Sequence, residues 1–227
     1  MSVPEKKFEI RKFQPADRAR VRELCCETGF LGNPIDPIFE DRELFADYLT
    51  AYYTDWEPES AFVLLVNGDL RGYLLGSRRP FRQQLHSFFS NVSLFLRGVF
   101  RYPRYHAASK KFIHWIFRTA WREVPAAPRR TAHFHINLLA DARSVAHTRG
   151  IMDAYLQHLA AHGEKRVFGQ MVVFEDRRGT KMFERYGFRV LNKAEITKYR
   201  DVHPERVYLC TIVKDLDENP QLYARVG

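Results

Sequence analysis

The stretch Ala132-His133-Phe134-His135-Ile136-Asn137-Leu138-Leu139, with the residues that follow it, decides how this chain is read. Ala132, Phe134, Ile136 and Leu138 alternate with His133, His135 and Asn137, the period-two pattern of a half-buried strand. Successive strand side chains point to opposite faces, so His133, His135 and Asn137 share one face. After a loop from Ala140, the stripe Ile151, Met152, Tyr155, Leu156, Leu159 and Ala160 predicts a helix running to about His162. Gly163 stands where helices commonly stop.

The same alternation of strand and helix continues on both sides. Downstream, the pattern predicts a strand over Arg166 to Phe174 and a short helix over Gly179 to Tyr186 ended by Gly187. Two last strands follow, Phe188 to Thr197 and Arg206 to Lys214. Upstream, Lys7 to Phe13 alternates apolar and charged residues as a strand, and Asp17 to Thr28 and Asp41 to Tyr53 carry helical patterns. Gly29 to Pro37 is a loop between them. Ala61 to Val66 and Leu70 to Leu75 form a hairpin, since Asn67-Gly68 supplies the positive φ angles of a tight turn. The order β-α-α-β-β-(insertion)-β-α-β-α-β-β, with no repeat and no low-complexity linker, predicts a single α/β domain over residues 1–227. Its sheet should be mixed, mostly antiparallel and flanked by helices.

The insertion, at about residues 78–130, holds the charge. The 227 residues carry 36 Lys+Arg and 27 Asp+Glu, a net charge of +9. Residues 78–130 contain twelve Lys/Arg and one acid, Glu123, so this segment is +11 and the remainder −2. Phe88, Phe89, Val92, Phe95, Leu96, Val99 and Phe100 recur at helical period. Phe112, Ile113, Trp115, Ile116, Phe117, Ala120 and Trp121 form a second face. Arg101 to Tyr105, with Pro103, connects the two. A basic helical hairpin is expected, with Phe95, Leu96, Ile116 and Trp121 buried and the cations on the opposite side. Four roles suit it: a packed insertion, a cover for an acceptor site, a homodimer interface, or a surface for nucleic acid or an anionic membrane.

Other classes are excluded by composition. Hydrophobic residues at 45% and charged residues at 28% are ordinary for a folded globular chain, not a disordered or collagen-like one. No apolar run approaches the roughly 18 residues of a membrane span, and the N-terminus lacks a signal-peptide core. Cys25, Cys26 and Cys210 form neither a disulfide framework nor a zinc pattern, so a reducing cytoplasm is the expected setting.

The order of elements and three local strings resemble the GNAT superfamily of N-acetyltransferases. The first string is Ala132 to Leu139, similar to the family's central strand, splayed to admit acyl-CoA. The second is Arg143-x-x-Ala146-x-Thr148, in the place of the family's pyrophosphate loop, usually (Gln or Arg)-x-x-Gly-x-(Gly or Ala). The third is Asp176-x-x-Gly179-x-x-Met182-Phe183-Glu184-Arg185-Tyr186-Gly187-Phe188, which resembles its late helix. The residues Phe8 to Tyr53 match the family's acceptor-side element. Within the superfamily the strand is most similar to acetyltransferases related to the second domain of some O-GlcNAc hydrolases.

The resemblance implies an acetyl-CoA-dependent N-acetyltransferase in which a small-molecule or peptide amine attacks the thioester directly. It implies pantetheine along Leu138 and Leu139, and pyrophosphate on the amides of Ser144, Val145, Ala146, His147, Thr148 and Arg149, beside Arg143. A helix N-terminus offers such an anion free N–H groups and the positive end of its dipole. Thr148 is a candidate for capping that helix. Asp176 and Phe183 stand where the family has Asn and a Tyr that protonates the leaving thiolate, and Tyr186 is the candidate substitute. His133, His135 and Asn137 are candidates for the general base, with structural histidines as the other reading. Glu27, Tyr52, Tyr53 and Trp56 are candidates for lining the acceptor cleft or the core. His158-x-x-x-His162 has a metal-compatible spacing, but the helix dipole alone favours histidines there, and no metal is expected. The lost glycines and the missing phenol keep a non-catalytic acyl-CoA-binding or regulatory domain as the alternative. An adaptor acting through the basic hairpin is a third reading.

Overall fold

The alternating signals become a seven-stranded mixed sheet in a computed structural model that describes residues 7–174 and 181–216. Its strands are β1 (Phe8–Lys12), β2 (Ala61–Val66), β3 (Asp69–Ser77), β4 (Ala132–Leu138), β5 (Arg166–Phe174), β6 (Arg189–Glu195) and β7 (Val207–Asp215), in the spatial order β1-β2-β3-β4-β5-β7-β6. Only β4 and β5 run parallel. The helices are α1 (Arg18–Thr28), α2 (Arg42–Asp55), α3 (Pro80–Arg101), α4 (Ala107–Arg118), α5 (Ala120–Glu123), α6 (Val145–Ala161) and α7 (Lys181–Glu184). The β2–β3 turn has Asn67 at φ 54° and Gly68 at φ 89°, the left-handed pair that a two-residue hairpin demands.

Two cores sit on the two faces of the sheet. On one, Val63, Tyr73 and Leu75 pack against Val21, Leu24 and Cys25 of α1 and Tyr52 and Tyr53 of α2. On the other, Phe62, Leu64, Leu74 and Phe134 pack against Ile151, Tyr155, Leu156 and Leu159 of α6. The predicted stripe of α6 is therefore buried, with one correction. Ala160 is exposed and His158 takes the covered place. At 3.6 residues per turn, position 160 lies half a turn out of phase with Ile151, whereas 158 lies in phase. Tyr155 reaches the sheet because Gly76 has no side chain: a Cβ there would come 2.3 Å from the Tyr155 ring.

The insertion contradicts its expected packing. It forms three helices, α3, α4 and α5, and α3 is turned with its apolar stripe outward. Phe81, Leu85, Phe88, Phe89, Val92, Phe95, Leu96, Val99 and Phe100 are all exposed, Phe81 by 78% and Phe95 by 51%. Ile116 and Trp121, expected inside, are exposed too, Trp121 by 70%. What α3 turns toward α2 is its polar side. Arg97 pairs with Asp47 and Arg101 with Asp41, the latter carboxylate also accepting from Tyr105, and Gly98 lies over Leu44. Leu94 is the buried apolar exception in α3. Helical period reports that a face exists; it does not say which way the face turns.

Candidate active site

The strand that opens the sequence reading also opens the sheet. β4 and β5 pair only at Ala132–Val167, His133–Phe168 and Phe134–Gly169. Past Phe134, β4 stays with β3 as far as Leu138, while β5 leaves with β7 as far as Phe174. The Leu139 N–H donates to the Arg71 carbonyl across the β3 side at 2.9 Å. Main-chain groups alternate sides along a strand, so Ile136 and Leu138 direct theirs into the opening, where no strand pairs with them. Leu139, expected to bind there with Leu138, has its amide turned the other way. Arg143 Nε donates to the Leu138 carbonyl at 3.1 Å, closing part of that edge.

Directly after the opening comes the N-terminus of α6. Ser144, not Thr148, is its cap: the Ser144 hydroxyl accepts from the His147 N–H at 3.1 Å, and the Ser144 carbonyl accepts from Thr148 N–H at 3.1 Å. The amides of His147 and Thr148 are thus used within the helix. Those of Ser144, Val145 and Ala146 have no partner among the described residues, and Val145 is 74% exposed. They form the positive end of the helix. His147 turns its ring inward, with Nδ1 at 2.8 Å from the Ala142 carbonyl and the ring against Phe8. Arg143 also donates to the Gly32 carbonyl at 2.6 Å. Its guanidinium ties the β4–α6 connection to the loop after α1, while Arg149 stands exposed on the first turns of α6.

The structure brings His133, His135 and Asn137 together on the α1–α2 face, as their alternation predicted. The Tyr53 hydroxyl and His133 Nε2 are hydrogen-bonded at 2.9 Å. The His135 ring lies edge-on between Tyr53 and Tyr73, at 5.1 and 5.6 Å between centroids, and its Nε2 is buried with no partner. Asn137 Nδ2 donates to the Tyr73 hydroxyl at 2.7 Å. Burial pushes the His133 pKa down to about 4, against the pull of Glu57, and pushes His135 to about 3, with His133 adding to it. Both rings are neutral at physiological pH. Behind them sits Glu57, fully buried and accepting from Tyr52, Ser60 and Ser77 hydroxyls and from the Arg78 N–H. Burial alone would raise its pKa; these four donors outweigh that and keep it below the usual carboxylate range.

The remaining expected residues lie elsewhere. Asp176 falls outside the described residues. Phe183 is buried and Tyr186 half-buried on the α6 side of the sheet, the opposite face from His133 and His135. Tyr52 and Tyr53 are buried on the α1–α2 face, whereas Trp56 is half exposed beside His86, with Arg82 over its ring. Glu27 pairs with Arg20 on α1. His158 Nε2 lies 3.3 Å from the Ser60 hydroxyl, and His162 Nδ1 lies 2.7 Å from the His158 carbonyl. Sequence reasoning missed Glu57, Tyr73 and Tyr155, whose hydroxyl donates to the His133 carbonyl at 2.8 Å. The stripe marks Tyr155 only as a core residue, and no local signal shows the hydrogen bonds of the three, because their partners lie in other elements.

Comparison with known proteins defines the class that this architecture belongs to. The structure superposes on the crystal structure of SsHAT with a TM-score of 0.65 and 25% identity, over 92% of this chain and 98% of that one. It also matches yncA, a putative acetyltransferase from Salmonella typhimurium solved with acetyl-CoA, at a TM-score of 0.54 and 13% identity over 94% and 96% of the two chains. A GNAT-family acetyltransferase from Streptococcus pneumoniae matches at 0.51 and 11%, over 92% and 99%. No family model matches the chain, and no curated protein matches it in sequence. The fold is that of the GNAT N-acetyltransferases, as the sequence resemblance implied.

Proposed function

We propose that this chain is an acetyl-CoA-dependent N-acetyltransferase. The observation that carries the reading is the opening between β4 and β5 running straight into the free amides of Ser144, Val145 and Ala146. An extended amide-bearing arm fits the unpaired edge of Ile136 and Leu138, and a pyrophosphate fits the N-terminus of α6. Acetyl-CoA supplies the acetyl group as a thioester. The acceptor approaches from the α1–α2 face, past Tyr53 and His133. Its amine nitrogen bonds to the thioester carbon, the C–S bond breaks, and the CoA thiolate leaves. The proton of the attacking nitrogen passes to His133 or His135, whose neutral rings are able to accept it, and from there to solvent or to the thiolate. A main-chain N–H in the opening polarises the carbonyl oxygen.

Direct attack is supported by the cysteines. Burial raises Cys25 to about 12 and Cys26 to about 11, so neither supplies a thiolate for an acyl-enzyme. All three cysteines are free and buried, in keeping with a reducing cytoplasm. A second reading has a specific observation behind it. With pKa values near 4 and 3, His133 and His135 are weak bases, and Phe183 offers no proton to the thiolate. An acyl-CoA-binding domain without turnover fits those two facts. Calorimetric titration with acetyl-CoA, followed by thiol release over a panel of amines, separates the readings. Binding with turnover on one amine class supports the enzyme, binding without turnover supports the second reading, and no binding at millimolar ligand removes both.

A further inference from the structure

The stripe of α3 is exposed along its length. It runs the length of a 22-residue helix, about 33 Å at 1.5 Å per residue. Phe95 of α3 meets Phe117 of α4 at 5.9 Å, so the apolar face continues onto the second helix and toward Trp121. Contiguous exposed apolar surface of this kind marks an interaction site.

The charge around the stripe says what covers it. Of the twelve cations in residues 78–130, Arg79, Arg97, Arg101 and Lys111 are ion-paired. The other eight have no carboxylate partner among the described residues, though the Arg78 Nε is buried and Arg82 lies over Trp56. Arg118 adjoins Phe117, and Arg122 lies over the Trp121 ring at 4.6 Å. A second copy docking face to face would bring these cations against their own counterparts. A nucleic acid would meet the cations but leave Leu85, Val92, Leu96 and Val99, which cannot stack on bases, in water. A bilayer with anionic headgroups answers both features: acyl chains take the stripe, and headgroups take the arginines and lysines. No helix among the described residues is long and apolar enough to cross a membrane, so α3 would lie in the plane of the surface.

We propose that α3 and the outer face of α4 dock this protein on an anionic lipid surface. This inference does not depend on acetyl transfer.

The test is co-sedimentation of the whole chain with phosphatidylcholine vesicles, with and without phosphatidylserine. Binding should require phosphatidylserine and weaken steeply with added salt. Phe88→Ser/Phe95→Ser/Phe100→Ser should lower vesicle affinity more than about tenfold without changing the melting temperature. Arg118→Ala/Arg122→Ala should lower it roughly 30-fold, from two surface cations. Absence of binding by the folded wild type would overturn the proposal, as would equal binding to neutral vesicles. Should the wild type dimerise instead, and the Phe variant not, a second copy is the occupant. If the Phe variant fails to fold, the arginine variant decides.

Discussion

Two long helices, α6 on the sheet and α3 against α2, spend their apolar faces in opposite ways. α6 buries Ile151, Tyr155, Leu156 and Leu159 against the sheet, together with the His147 and His158 rings. α3 holds α2 through Arg97–Asp47 and Arg101–Asp41 and gives its phenylalanines to solvent. Both sequences have a stripe of helical period. The difference teaches that a stripe is evidence for a helix and for some apolar partner, not for this chain's own core.

The sharpest way to break that comparison is truncation. Tyr155→Ala removes a fully buried ring and the donor to the His133 carbonyl, and should cost about 3–5 kcal/mol in denaturant unfolding. Trp121→Ala and Phe95→Ala, on the outer face, should each stay within about 0.5 kcal/mol. A large cost at Trp121 would mean the outer face is packed after all.

Acid separates the two regions next. His133, His135 and His158 have native pKa values near 4, 3 and 4, against 6.5 when exposed. Below about pH 6.5 the unfolded chain takes up protons that these buried rings refuse. Stability therefore rises with pH across that window and is lost as pH falls from 6.5 toward 4. Unfolding measured from pH 7 to 5 should show this slope, reduced in His135→Phe. An unchanged slope in that variant would show that His135 titrates normally.

A smaller effect is expected at Arg143. Arg143→Ala loses the bonds to the Leu138 and Gly32 carbonyls, costing about 1–2 kcal/mol in unfolding. It should also weaken acetyl-CoA several-fold in calorimetry, because the connection presenting the α6 amides is no longer held. Arg143→Lys should not restore the loss, since an ammonium lacks the fork that reaches both carbonyls. Full affinity in Arg143→Ala would separate that side chain from the site.

Much of this was legible in the chain itself. Alternation from Ala132 to Leu138 placed His133, His135 and Asn137 on one face, and Asn67-Gly68 gave the hairpin. The step from Arg143 to Gly163 set the length of α6. Other features were not legible because they arise between distant segments. Glu57 is buried beneath Tyr52 only because Ser77 and Arg78 fold back onto it. Ser144 rather than Thr148 became the cap once the helix began at Val145, and Leu139 turned away from the opening through its bond to Arg71. The outward turn of α3 depends on Asp41 and Asp47, fifty or more residues upstream of their arginines.

The most direct measurement is residue-resolved amide hydrogen exchange with and without acetyl-CoA. Protection should appear at Ile136, Leu138, Ser144, Val145 and Ala146, while Leu139, already bonded to Arg71, and the whole of α3 stay unchanged. Protection elsewhere, or none at saturating ligand, would contradict an acyl-CoA site between β4 and β5.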